Sequence, residues 1–97
     1  MTSASGPELF PVSAKIAELR KQVDAVDSAL LALLKKRAEL TLKIGMEKRK
    51  ETAAVLVRKR EKQVLARVRK RASRLLGPKT TERIFKEIIS ACRRVQR

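Results

Sequence analysis

The sequence predicts an all-α protein, a three-helix protomer led by one long N-terminal helix. Three observations carry that reading. Apolar residues recur every three or four positions along separate stretches, the period that keeps a seam on one helix face. β-branched runs are few, and three Gly and three Pro in 97 residues leave little material for strands and hairpins. Apolar residues make up 43% of the chain, enough for a packed core despite 36% charged residues, so wholesale disorder is not expected.

Residues 1–12 hold Ser3, Ser5, Gly6, Pro7 and Pro11 and read as a flexible or lightly docked arm ahead of a helical domain over 13–97. Ser13 is a suitable N-cap for the first helix, which is expected to run to about Glu51. Its seam is Ile16, Leu19, Val23, Val26, Leu30, Leu33, Leu40 and Ile44. Arg37 interrupts that seam, either as a solvated edge or as a residue kept for a ligand. About 39 residues at about 1.5 Å each make a rod near ~58 Å long. That is too long for a compact monomer of this size, so a partner chain is expected to cover it. Gly45 inside the helix costs about 1 kcal/mol relative to Ala, and close packing against a neighbour would account for it.

The pattern fades through Thr52, Ala53 and Ala54, where the first turn is expected. A second helix is predicted from about Leu56 or Val57 to about Arg74. Val57, Arg60, Glu61, Val64, Val68, Ala72 and Leu75 share one of its faces, which therefore carries an Arg–Glu pair among aliphatics. Gly77 and Pro78 stop it, and Thr80 can cap a third helix whose buried side is Ile84, Phe85, Ile88, Ile89, Cys92 and Val95. Gln96 lies one turn beyond Cys92 on the same strip.

Charge and composition narrow the function. Twenty-five Lys and Arg against 10 acids, with no His, give a net charge of +15 and point to anionic partners. Two Phe and no Trp or Tyr argue against a base-stacking platform, and no helix-turn-helix or zinc module is recognisable, so a basic nucleic-acid-binding protein is the weaker alternative. The single cysteine excludes an intrachain disulfide and, without His, a zinc cluster, so no metal is expected. With no apolar signal core and no long apolar run, a soluble cytoplasmic protein without membrane contact is expected.

The inward polar residues are Arg37, Arg60, Glu61, Gln96 and, further along the first helix, Lys48. Lys48 follows Arg37 by about three turns, or about 16 Å on the same face, room for a small dianion with a bulky ring. Arg20 lies about 42 Å from Lys48 along the rod and can join that site only from an antiparallel second chain. Taken singly, each has a plainer explanation. Arg20 and Lys48 read as solvated, and Arg60–Glu61 as a surface pair worth less than about 1 kcal/mol. Cys92 reads as a small buried hydrophobe and Gln96 as a frayed terminal residue.

Together they carry a resemblance. The run from Leu19 to Asp27, then Leu30-Leu31-x-Leu33-Leu34-x-x-Arg37 and Ile44-Gly45-x-x-Lys48, resembles the first helix of the all-helical chorismate mutases. Arg60-Glu61, Gly77-Pro78, the segment Ile84 to Ile89 and Cys92-Arg93-x-x-Gln96 resemble the rest, in order. The resemblance implies an intertwined homodimer and an enzyme that rearranges chorismate to prephenate, on the way to phenylalanine and tyrosine, with no cofactor. It also implies roles. Arg37 and Arg20 of the partner subunit would clamp the two substrate carboxylates, as guanidinium forks do well. Lys48 and Gln96 would donate to the ether oxygen, Glu61 would hold the ring hydroxyl, and Arg60 would support the carboxylate end. Arg37, Lys48 and Gln96 are the expected catalytic residues. The chain departs from the family at Val57, where many relatives have an acid, and at Cys92, where some have Ser and a thiol donates more weakly. A lyase on the same fold, splitting isochorismate into salicylate and pyruvate, is an alternative with much the same cationic clamp.

Overall fold

The structure, a computed structural model, describes residues 13–47 and 50–96, and over 50–56 the backbone alone. The arm at 1–12 and Lys48 lie outside the described residues. Every regular element among the described residues is helical: α1 (Ala14–Glu47), α2 (Lys50–Arg71) and α3 (Pro78–Val95). The all-α expectation holds.

Ser13 caps α1 as expected. Its hydroxyl accepts the Ile16 N–H at 3.1 Å and its carbonyl accepts the Ala17 N–H at 3.0 Å, satisfying two of the donors a helix start leaves open. The chain divides into two compact units at Lys35/Lys36, within α1. In the N-terminal unit the seam residues Ile16, Leu19, Val23, Val26 and Leu30 are all 45–59% exposed. No residue of α1 is buried in the single chain.

The C-terminal unit has a core. α2 and α3 pack together, and Val64, Ile89 and Cys92 are its buried apolar residues. Phe85 and Ile88 are half-buried, whereas Ile84 and Val95, at the edges of the apolar strip of α3, are exposed. Glu82 of α3 accepts from Arg69 of α2 at 3.1 Å and lies 3.7 Å from Lys86 one turn on. These are exposed pairs, each worth less than about 1 kcal/mol. Arg69, Lys70 and Arg71 end α2, and Arg93 and Arg94 end α3, where cations oppose the negative end of the helix dipole.

Several boundaries differ from the sequence expectation. The described part of α1 runs to Glu47, and Thr52–Ala54, expected as a turn, lie inside α2. The apolar pattern does fade there, but Ala53 and Ala54 are strong helix formers, and intrinsic propensity continues a helix that has no seam. α2 stops at Arg71, and Leu75, assigned to its buried face, is 97% exposed. The third helix starts earlier than a Thr80 cap would give. Gly77 is the N-cap at φ 84, a left-handed conformation that glycine takes without a Cβ clash, and Pro78 follows at N1 with its φ already helical. Ser73 ties the connection: its carbonyl accepts the Gly77 N–H at 2.9 Å and its hydroxyl accepts the Leu76 N–H at 3.3 Å.

Candidate active site

The C-terminal unit contains a cavity of about 550 Å³, within the range of small-molecule sites. Each helix contributes residues at helical spacing, so each presents one face to it. Arg37, Leu40, Thr41 and Ile44 come from α1, and Val57, Arg60, Glu61 and Val64 from α2. Ile89, Cys92 and Arg93 come from α3, with Gln96 just past its end. The lining is thus an aliphatic floor with a few polar groups set into it. Three arginines against one glutamate leave an excess of two positive charges, which suits a small dianion.

The glutamate has a defined partner. Arg93 Nε donates to Glu61 Oε2 at 3.0 Å and Arg93 Nη2 donates to Glu61 Oε1 at 2.8 Å, a two-pronged ion pair joining α3 to α2. Such forks are the stronger and more directional form of carboxylate recognition. Arg60, next to Glu61 in sequence, points about 100° away around the helix and belongs to another sector of the cavity wall.

Gln96 is held just past the end of α3. It caps α3, its N–H reaching the carbonyls of Cys92 and Arg93 at 3.2 Å each, and its Nε2 donates to the Thr41 carbonyl at 3.2 Å. The Thr41 hydroxyl in turn donates back along α1 to the carbonyls of Arg37 and Ala38, at 3.0 and 2.9 Å. Gly45 permits this approach. A Cβ at position 45 would sit 3.2 Å from Gln96 Cβ and 3.3 Å from both Gln96 Cγ and the Gln96 carbonyl oxygen, tighter than ordinary packing. The close neighbour that the sequence asked of Gly45 is therefore Gln96.

The family model described as chorismate mutase type II matches residues 19–97, most of the chain. The chain belongs to the type II chorismate mutase family. Among curated relatives, a bifunctional chorismate mutase/prephenate dehydratase of Aquifex aeolicus is 33% identical over 82 residues, covering 80% of this chain and 23% of the relative. A T-protein of Enterobacter agglomerans is 38% identical over 77 residues, covering 78% of this chain and 21% of the relative. The chain thus spans less than a quarter of the length of either relative. No solved structure matches it significantly.

Of the residues the chorismate mutase resemblance singled out, Arg37, Val57, Arg60, Glu61, Cys92 and Gln96 come together around this one cavity. Val57 is half-buried and Cys92 buried, both as apolar wall. Arg20 lies in the N-terminal unit, exposed on α1. Lys48 lies outside the described residues. Two lining residues escaped the sequence reading. Arg93 stands one turn past Ile89 on α3, and Thr41 one turn past Arg37 on α1. Inner-face spacing could have found both. Among the described residues no group of three His, Cys, Asp or Glu could hold a metal ion, and no helix is long and apolar enough to cross a membrane.

Proposed function

We propose that the chain is a chorismate mutase acting in the cytoplasm, converting chorismate to prephenate in the cavity of its C-terminal unit. One observation carries the reading most: in a member of this family, Arg37, Arg60, Glu61 and Gln96 converge on one dianion-sized cavity with an aliphatic floor.

The reaction is a unimolecular [3,3] rearrangement, in which a C–O bond breaks as a C–C bond forms. It needs no nucleophile. The protein has to hold the folded, reactive conformer, an orientation effect that can supply much of the rate gain. Arg37 and Arg60 serve the carboxylates, the apolar floor receives the ring, and Glu61 accepts the ring hydroxyl. Gln96 and Lys48 donate to the ether oxygen as negative charge grows on it, and a preorganised donor of this kind is worth about 3 to 4 kcal/mol. The Gln96 amide has two N–H donors, and rotation of its last torsion can turn one toward the substrate.

The reading includes a homodimer in which the exposed seam of α1 is covered by the second chain and Arg20 of the partner subunit completes the carboxylate clamp. Apolar area of that extent, left exposed along a helix, is the usual mark of an interface.

Loss of chorismate absorbance with purified protein, beside an Arg37→Ala control, tests the reading. Turnover to prephenate is expected, with the control reduced about a hundredfold or more. A helical protein without turnover would refute it, and isochorismate would then test the lyase.

A further inference from the structure

We infer that Arg93 is a positioning residue for Glu61, fixing the plane of the carboxylate that receives the substrate hydroxyl while making no contact with substrate itself. The inference rests on the mutase reading above. The last torsion of a glutamate is broad and its carboxylate turns easily. Here both oxygens are engaged at once, Oε2 by Nε at 3.0 Å and Oε1 by Nη2 at 2.8 Å, so the carboxylate plane is tied to the guanidinium plane. Each oxygen keeps a lone pair for a further donor. A carboxylate set in a cavity for a dianion would otherwise repel its ligand. Arg93 cancels that charge and leaves the other two arginines of the cavity, Arg37 and Arg60, to face the substrate's carboxylates.

Exposure assigns the direction of support. The Glu61 side chain is 23% exposed and that of Arg93 is 48%, so the carboxylate is the more covered partner and the guanidinium holds it from the solvent side. The tether also spans two helices. Glu61 sits on α2 and Arg93 in the last turn of α3, so the pair ties the two helices together as well as setting the carboxylate angle.

A double-substitution cycle on the full-length chain tests this, with steady-state kinetics on chorismate, helicity and thermal midpoint recorded for every variant. Arg93→Gln is expected to lower kcat/KM about tenfold, chiefly through KM, in a protein that stays helical. In the Glu61→Gln background the same change is expected to have a much smaller effect, because a neutral amide with one acceptor oxygen replaces the two-pronged carboxylate. Arg93→Lys keeps the charge and loses the fork, and is expected to recover part of the loss. If Arg93→Gln does not fold, Arg93→Lys is run through the same cycle, with a smaller loss that again shrinks beside Glu61→Gln. Additive losses would overturn the inference, since they mean that Arg93 meets the substrate directly. An undiminished single variant beside an active parent would overturn it while leaving the mutase reading intact. A parent chain without turnover would overturn both.

Discussion

Up to Lys35 the chain carries a long apolar seam and buries none of it, whereas from Lys36 onward α2 and α3 build a core around Val64, Ile89 and Cys92 and a cavity beside it. Periodicity therefore states which face is to be covered and leaves open what covers it. In the C-terminal unit the cover is α3. In the N-terminal unit it is proposed to be a second chain. The same comparison separates two arginines. Arg37 lines a cavity within its own unit, whereas Arg20 is exposed on α1 and is proposed to act only in a second chain's site.

Placing one glutamate in each unit is the sharpest way to break this contrast. Gln96→Glu should spare the fold and cut activity at neutral pH by about a hundredfold or more, the cost of a lost donor at a developing charge. A carboxyl donates only while protonated. With an ordinary value near 4.3, such a group is ionised at neutral pH and gains its proton as pH falls, so activity should rise toward acid. A pH–rate profile parallel to that of the unchanged protein would remove Gln96 from the ether oxygen. Leu30→Glu should do the reverse, disrupting assembly first. Burying a charge in a seam that a second chain covers costs about 2 to 4 kcal/mol, so sedimentation should report monomers and activity should fall with them. Leu75→Glu is the control, because Leu75 is already exposed and a charge there should change nothing. A Leu30→Glu protein that still sediments as the parent does would end the proposal that this seam is an interface.

Smaller changes refine the comparison. Gly45→Ala should gain about 1 kcal/mol of helix propensity and lose more than that to crowding against Gln96. The expected result is a slightly less stable protein with activity reduced several-fold; a more stable and fully active variant would mean that the end of α3 moves freely. Ser13→Ala removes the cap of α1 and should cost about 1 kcal/mol in thermal unfolding with kcat unchanged. A change in kcat there would join the start of α1 to the chemistry, which the division into units does not anticipate.

What could be read from the sequence follows physical range. The three helices, the Ser13 cap and the unusual Gly45 are local features, and local spacing revealed them. The course of the chain through Thr52–Ala54 is not legible in the seam, which fades there while Ala53 and Ala54 sustain a helix without one. At the start of α3 two local signals compete, a threonine cap at Thr80 and a glycine followed by proline, and the structure uses the second. Arg37, Arg60, Glu61 and Gln96 were each placed on an inner face, and the cavity gathers them. The partner of Glu61 was not legible, since Arg93 lies 32 positions away and only folding brings the two together.

Gly45 has a wider consequence. The atoms that a Cβ there would crowd include the Cβ and carbonyl oxygen of residue 96, which nearly every amino acid possesses. Replacing the glutamine by a smaller or differently charged residue would therefore neither widen nor close the gap. The spacing that presents the side chain at position 96 is thus held by a residue with no side chain at all.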